Sequence, residues 1–379
     1  MRFSVNNNSK FFSKNFITFQ PVFYTHLCTL FIITTFSVII PCLGKSSNWI
    51  SLGLPSYHKQ SLLLKSDEVK SHCANLTSLS DDQRRLCEIN YHIAQAISRG
   101  AKLGIDECQH QFQRNRWNCS TFQDHPSVFG DLVRSHTREK AYIYAVSSAG
   151  LAYSVTKACS QSLLANCSCD NGITGKIRGK WNWGGCSDDI QYGSMFSRLF
   201  LDSLENNTTA GGLMNLHNNE AGRRVLKAKM EKVCKCHGVS GSCTMRVCWR
   251  KLGSFRGIGD ELMKKFDGAT RVRLTHRNRK PRLKPVMKEM KKPTKRDLVF
   301  IDSSMNYCER NKTLGVLGTQ GRSCNANSLD IDSCKILCCG RGYHTLVKTV
   351  EDKCNCKFIW CCRLECKKCL VKKEEHFCN

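Results

Sequence analysis

The sequence predicts an α+β, disulfide-rich fold. A mostly helical N-terminal domain ends in a cysteine-stapled hairpin, and a small cysteine-rich C-terminal domain of short strands and loops carries a second, long hairpin. Three observations point there. The 379 residues include 26 cysteines, a load that forms a disulfide framework in an oxidising compartment. Apolar residues recur at helical spacing within residues 81–270. Residues 298–379 hold 12 cysteines in 82 positions, so disulfides there substitute for a large core.

Residues 1–44 read as a signal peptide. Arg2, Lys10 and Lys14 precede an apolar run from Leu27 to Ile40, and Pro41-Cys-Leu-Gly44 offers a small residue for cleavage. Cleavage there removes Cys28 and Cys42 and leaves 24 cysteines, an even number that can all pair. An uncleaved signal anchor is the alternative. Residues 45–80 are polar and weakly patterned, and are expected to be partly disordered. Ile89, Ile93, Ala96 and Ile97 then share one helix face, which Cys108 and Phe112 continue. The run Ala141–Val155 is apolar all round, as a central helix is. At about 15 residues it falls short of the ~20 that a membrane span needs.

Ile190, Phe196, Leu199, Phe200 and Leu204 mark another helix. Ala221–Val233, with Val225, Leu226 and Met230, marks a further one that leads into the stapled hairpin. Gly172, Gly175, Gly179, Gly184 and Gly185 punctuate a loop anchored by Trp181 and Trp183. From Arg271 to Arg296, 12 lysines and arginines face one acid, Glu289, and Pro281, Pro285 and Pro293 break any helix. Residues 271–297 are therefore expected to form an extended, mobile linker.

The net charge of +27 raises a nucleic-acid binder. Zinc-finger spacing, RNP patterns and a basic zipper are all missing, so nucleic acid is not the expected partner. For an exported chain the polyanion at hand is heparan sulfate. Six sequons, at Asn75, Asn118, Asn166, Asn206, Asn207 and Asn311, agree with export and are candidate glycosylation sites.

Two cysteine arrangements stand out. In Cys234-Lys-Cys236-His-Gly-Val-Ser240-Gly-Ser-Cys243-Thr-Met-Arg-Val-Cys248, nested pairs 234–248 and 236–243 would centre both rings near Ser240. The loop has no large side chain to bury, and it holds one hydroxyl at a rigid, open tip. It is either a plain hairpin with a serine in water, or a place where an enzyme or partner finds that hydroxyl. Gly238-Val-Ser240-Gly-Ser242 nearly fits the nucleophile elbow, but Ser242 stands where a glycine belongs, and cysteine rings replace the strand–turn–helix context. No catalytic residue is assigned.

In the second arrangement, pairs 354–369, 356–366 and 361–362 would all centre within half a residue of 361.5, the arithmetic of a hairpin turning at Cys361-Cys362. Phe358 and Trp360 then share one face near its tip as candidate interface anchors. Packing of Phe358 and Trp360 on the domain body is the rival reading. Zinc on Cys356, Cys366 and Cys369 is another, which a cysteine-saturated exported chain disfavours, so no metal is assigned.

From residue 85 to 379 the chain resembles the Wnt family of secreted signalling proteins. The resemblance rests on Glu107-Cys-Gln-His-Gln-Phe-Gln-Arg-Asn-Arg-Trp117-Asn-Cys-Ser120, Asn215-Leu-His-Asn-Asn-Glu-Ala-Gly222, the Cys234–Cys243 motif, Gly318-Thr-Gln-Gly-Arg322 and Cys338-Cys-Gly-Arg-Gly-Tyr-His-Thr345. Leu213–Arg223 and Gly315–Gly318 are similar to the fourth Wnt subfamily.

The resemblance implies that Ser240 is acylated with palmitoleate in the endoplasmic reticulum, with no separate cofactor. The loop around it would be a thumb and the 354–369 hairpin an index finger. Val239, Ser240, Phe358, Ile359, Trp360, Cys361 and Cys362 would grip the cysteine-rich domain of a Frizzled receptor. It further implies an LRP-type co-receptor, a membrane O-acyltransferase, a lipid carrier, and release to the extracellular space and matrix.

The disulfides implied in the first domain are Cys108–Cys119, Cys159–Cys167, Cys169–Cys186, Cys234–Cys248 and Cys236–Cys243. Those implied in the second are Cys308–Cys339, Cys324–Cys334, Cys338–Cys378, Cys354–Cys369, Cys356–Cys366 and a vicinal Cys361–Cys362. Cys73 and Cys87 are left to pair with each other. A heparin-binding matrix protein and a secreted serine hydrolase are the alternative functions. The linker 271–297 departs most from the family by its basic charge.

Overall fold

Polar caps set the helix starts. The computed structural model describes residues 49–379 apart from 124, 126, 171, 173–174 and 178–180; the expected signal peptide lies outside these residues. After a 3₁₀ turn at Trp49–Gly53 come helices α1 (Pro55–Leu62), α2 (Val69–Asn75), α3 (Asp81–Cys87), α4 (Tyr91–Phe112) and α5 (Arg138–Ser160). Short strands β1 (Lys176–Ile177) and β2 (Trp181–Trp183) precede α6 (Ile190–Leu201) and α7 (Ala210–Ala228). Asn90, Thr137, Asp189 and Thr209 cap α4 to α7, each accepting a first-turn N–H. Ser80 and Gln83 form a reciprocal capping box on α3.

The hairpin β3 (Met230–His237) and β4 (Met245–Leu252) follows, then α8 (Phe255–Asp267), capped by Ser254. Strands β5 (Thr270–Arg277), β6 (Lys280–Pro285) and β7 (Val299–Phe300) make a three-stranded sheet in the order β6-β5-β7. The C-terminal part holds β8 (Ser323–Cys324), the short α9 (Cys334–Leu337), and the long strands β9 (Tyr343–Ile359) and β10 (Arg363–Cys378).

Helix α5 is buried all round and packs against α4, α6, α7 and α8. Its contact with α4 is backbone to backbone: a Cβ on Gly100 would lie 2.7 Å from the Leu151 Cα. Phe112, Tyr142 and Phe266 close the core beside it with edge-on rings at 4.9–6.2 Å. Among the described residues no helix is long and apolar enough to cross a membrane.

The long polar motifs do structural work. Asn218 exchanges two 3.0 Å hydrogen bonds with the backbone of Val299, joining α7 to β7. Arg223, with 2% side-chain exposure, grips Asp202 with two nitrogens at 2.7 and 3.1 Å and reaches Glu220 at 3.3 Å. Arg322 donates to the carbonyls of Gln113, Asn115 and Arg116, which ties the C-terminal part to the end of α4. Arg116 answers by donating to the Ile336 carbonyl.

Several expectations are corrected. Residues 49–80 are not disordered: Trp49, Ile50, Leu52, Leu54, Leu64, Val69, Leu76 and Leu79 are buried in the main core. They enter it singly, from short turns, so no period reveals them. Ile89 precedes α4 and is exposed, while Ile93, Ala96, Ile97, Cys108 and Phe112 are buried as predicted. Leu199 and Leu204 face outward. The helix through Val225 and Leu226 stops at Ala228, and Met230 already starts a strand. The basic segment is no mobile linker over its first half, because β5 and β6 pair from Val272↔Pro285 to Arg277↔Lys280. Pro281 and Pro285 stand on β6, an edge strand, where a missing N–H is tolerated, and Pro293 lies beyond it. The second hairpin is long, as expected, with strands of 17 and 16 residues, while β8 spans only two.

Two outcomes follow. Arg223→Met leaves Asp202 without its two-nitrogen counter-ion, while Glu220 keeps Arg198 and Arg224, and is expected to cost ~3–5 kcal/mol, read as a large drop in Tm by calorimetry. Burial alone would raise the Glu220 carboxyl, but hydrogen bonds from Arg198 and Arg224 and the charge of Arg223 hold it down at about 2, from 4.5. A carboxyl depressed by folding stabilises above its unfolded pKa and loses that contribution as pH falls through the folded one. Stability should therefore decline between about pH 4.5 and 2, and Glu220→Gln should flatten that part of a Tm-against-pH curve.

Candidate functional site

A serine in the left-handed region marks the tip of the first hairpin. β3 and β4 pair antiparallel from Met230↔Leu252 to His237↔Met245, and Val239–Gly241 closes them with a single 3₁₀ turn. Ser240 has φ 57° and ψ 27°, and Gly241 follows at φ 77°. Left-handed backbone is costly for a residue with a Cβ, so surrounding restraints must hold it. Two disulfides supply them, Cys234–Cys248 across the strands and Cys236–Cys243 below the turn. The Thr244 hydroxyl adds a 3.0 Å bond to the His237 carbonyl. Val239 is 90% exposed, Ser240 is exposed, and among the described residues the Ser240 hydroxyl makes no hydrogen bond.

The base of this hairpin is braced. β2 joins β4 in parallel, with Asn182↔Val247 and Trp183↔Cys248. The Lys232 ammonium sits 3.6 Å from the Trp181 ring centroid. Asp188 accepts from the Leu252 N–H at 2.6 Å and from the Lys157 ammonium at 2.9 Å, fixing β4 to α5. The glycine loop and its two tryptophans thus form a buttress for the serine tip. Their position in sequence carried no sign of it, because a parallel pairing between distant segments has no local signature.

The second hairpin, β9–β10, is stapled by Cys354–Cys369 and Cys356–Cys366. Ile359 pairs with Arg363, so the turn is Trp360-Cys361-Cys362, centred on Cys361 rather than between the two cysteines. A bulge between Glu365 and Lys367 then shifts the register by one residue, so that Cys354 lies opposite Lys367 and Cys369 opposite Asp352. Phe358 and Trp360 are 70% and 91% exposed, and Ile359 is exposed as well. Packing of Phe358 and Trp360 on the body is thereby ruled out. Leu364, directly opposite Phe358, is also exposed and extends the apolar tip. It was not among the predicted residues, although counting across the true register would have found it.

Eleven disulfides are closed among the described residues, and each has the partner expected for it. Besides the four on the two hairpins, Cys73–Cys87 joins α2 to α3. Cys108–Cys119 ties the last turns of α4 to the loop beyond it, where Cys119 takes φ 55°. Cys159–Cys167 fastens the end of α5 to its exit loop, and Cys169–Cys186 closes the glycine loop that carries β1 and β2. In the C-terminal part, Cys308–Cys339, Cys324–Cys334 and Cys338–Cys378 hold α9 and β8 to the base of the long hairpin. Cys339 also stands in the left-handed region, at φ 57°.

The vicinal bridge is the correction. Cys361 and Cys362 are free, exposed thiols. Both take positive φ, 70° and 81°, to turn the chain. Cys356, Cys366 and Cys369 are spent in disulfides, which removes the zinc reading there. The sulfurs of Cys324, Cys334 and Cys338 cluster within 4.8 Å, but they too belong to two disulfides and offer no thiolate.

The sequon asparagines 75, 166, 206, 207 and 311 are exposed and Asn118 is half-buried. At Asn118, Asn206 and Asn311 the sequon hydroxyl donates to the asparagine Oδ1 at 2.6 Å.

Comparison with known proteins places this geometry. The model of the Wnt family matches residues 75–379. Protein Wnt-5b from Pongo abelii is 42% identical over 363 residues, covering 93% of this chain and 99% of that protein. A chain in the solved structure of human WLS in complex with WNT8A superposes with a TM-score of 0.54 at 38% identity, over 77% of this chain and 96% of that one. The chain belongs to the Wnt family of secreted signalling ligands.

Proposed function

We propose that the chain is a lipid-bearing Wnt ligand: palmitoleate esterified to Ser240 and the apolar tip of the β9–β10 hairpin together engage the cysteine-rich domain of a Frizzled receptor. The observation that carries this reading is the serine tip. A strained, doubly stapled turn presents one unpartnered hydroxyl to solvent, between two glycines and beside an exposed valine. A transferase can reach it, and nothing in the turn needs the hydroxyl for stability. The hydrolase alternative has less support, since Ser240 links two antiparallel strands and not a strand and a helix.

A sixteen-carbon chain at ~0.8 kcal/mol per buried CH₂ is worth on the order of 10 kcal/mol. Association costs consume part of this, yet the remainder is a large share of the ~12 kcal/mol of a nanomolar complex. The same number means that the acylated ligand needs a carrier in water. WNT8A is held by WLS in the related complex, which supports a carrier of that kind here. A membrane O-acyltransferase in the endoplasmic reticulum would load Ser240, an LRP-type protein would act as co-receptor, and the six sequons would carry glycans on the route to the extracellular space and matrix.

Phe358, Ile359, Trp360 and Leu364 supply the second contact, with Cys361 and Cys362 in the turn between their strands. Exposed aromatics on a rigid arm are efficient anchors, because their burial gain comes with little ordering cost.

Ser240→Ala is expected to leave stability within about 0.5 kcal/mol of the parent while removing the acyl mass and receptor activation. Intact-protein mass spectrometry and a receptor reporter read the two effects; full activation by protein lacking any acyl group would refute the proposal. Trp360→Ala should weaken binding to a Frizzled cysteine-rich domain by ~2 kcal/mol, about thirty-fold, with an unchanged Tm. Surface plasmon resonance and calorimetry test that pair of values, and normal binding with a large thermal loss would contradict it.

A further inference from the structure

A cavity of about 340 Å³ opens where the end of α4, the start of α5 and the C-terminal part meet, and the charged groups in it lack partners. Phe112, Trp117, Phe266 and Tyr307 form its walls. The Phe112 ring centroid lies 4.9 Å from those of Trp117 and Phe266, and Trp117 lies 6.4 Å from Tyr307. Arg138 and Glu139, the first two residues of α5, line the same space.

Glu139 is only 5% exposed, yet among the described residues no cation pairs with it. Ser304 donates to it at 2.8 Å, and the Tyr307 phenol lies beside it. A buried carboxylate ordinarily has a counter-ion; hydroxyls and a helix N-terminus compensate it less. Arg138 is the converse. Its guanidinium lies 5.7 and 4.9 Å from the Phe266 and Phe300 ring centroids, and among the described residues its side-chain N–H groups meet no acceptor. Nearby carboxylates are held elsewhere, Asp131 by Arg134 and Asp302 by the His136 N–H. The two charges thus share one cavity without joining each other. Asn115, in the same lining, adds a third unmet group: its Oδ1 is buried and accepts no hydrogen bond.

A free guanidinium, a free carboxylate and aromatic walls in one cavity suit a zwitterion whose cation is weakly hydrated. We propose that the cavity binds a phosphocholine group, presented by a choline lipid: its phosphate meets Arg138, and its quaternary ammonium rests against Glu139, the Asn115 Oδ1 and the ring walls. Guanidinium matches phosphate oxygens with paired N–H donors. A quaternary ammonium needs no hydrogen-bond acceptor and is drawn to aromatic rings. A primary ammonium brings three N–H donors, which ring walls leave unsatisfied. The rim favours a lipid over the free headgroup. Ile331 and Ile336 line the cavity at 50% and 38% exposure, and Leu329, on the same loop, is 97% exposed. Arg116 donates to the Ile336 carbonyl and Arg114 reaches Asp332 at 3.7 Å, which ties this loop to the end of α4. Apolar side chains held beside a headgroup site suit the interfacial layer of a bilayer. Neither hairpin tip takes part.

The test is flotation of the full-length Ser240→Ala protein with phosphatidylcholine vesicles. That variant cannot be acylated at residue 240, and these vesicles carry no net charge to draw its surplus cations. Binding is expected, and Arg138→Gln and Glu139→Gln should each weaken it roughly ten-fold or more. Glu139→Gln removes an unpaired buried charge, so its Tm should not fall, which separates a lost contact from a lost fold. Ile331→Asp should weaken vesicle binding but leave the affinity for free phosphocholine, read by calorimetry, within about two-fold. Lys372→Gln, at an exposed lysine on β10, should change neither. Free phosphoethanolamine should compete roughly ten-fold less well than free phosphocholine. No binding to vesicles or to free phosphocholine would overturn the proposal. So would vesicle binding that ignores both Arg138→Gln and Glu139→Gln, or equal competition by the two free headgroups. Binding of free phosphocholine with none to vesicles would overturn the lipid source.

Discussion

A two-stranded ribbon that leaves the body of a protein has no core to hold it. Both candidate contact tips of this chain sit on such ribbons, and the rest of the molecule is arranged around that constraint. Disulfides across β3–β4 and β9–β10 take the place of buried side chains. They also let the tips be chosen for contact instead of packing. Ser240 can stay in a left-handed conformation, and Phe358 and Trp360 can stay in water, because neither is asked to stabilise its own strand. The first ribbon has a further brace in β2, and the second runs its base into β8 through His376↔Cys324 and Phe377↔Ser323.

Below the ribbons, the helical body is organised by close backbone contact and by buried charge. α4 and α5 meet at Gly100 and Gly150, which no larger residue could occupy without moving a helix. Arg223, Asp202 and Glu220 form an ion network at the α7 surface against the 3₁₀ turn after α6, and Asn218 locks the same helix to β7. The polar stretches that carry the family resemblance are therefore largely clamps. The Wnt signature reports the fold's joints as much as its contact surface, and the exposed tips occupy only a few of its positions.

Charge is partitioned in the same economical way. Within the body, acids such as Glu107, Glu220 and Asp297 have assigned basic partners. Part of the surplus that makes the chain strongly basic lies where acids are few, on the outward face of β5–β6. Alternation along the two strands is what keeps that surplus off the core.

By itself the sequence determined the fold class, the central helix, the nested staples around Ser240 and the aromatic tip of the second hairpin. These are local features: helical period, cysteine spacing and strand alternation act over a few residues and leave a readable pattern. Longer bridges such as Cys308–Cys339 and Cys338–Cys378 had no such pattern, and came only through the family resemblance. Tertiary structure alone decided the burial of residues 49–79, the docking of β2 beside β4, the true register at Cys361, and the conversion of an apparent linker into a two-faced hairpin. Each depends on a surface supplied by a distant segment. Val272 and Leu283 read as scattered apolar residues in a basic run until the helical body is there to receive them. The unjoined pair Cys361 and Cys362 belongs with these: their spacing in sequence suggested a bond, while a turn with both residues at positive φ sets where the thiols point.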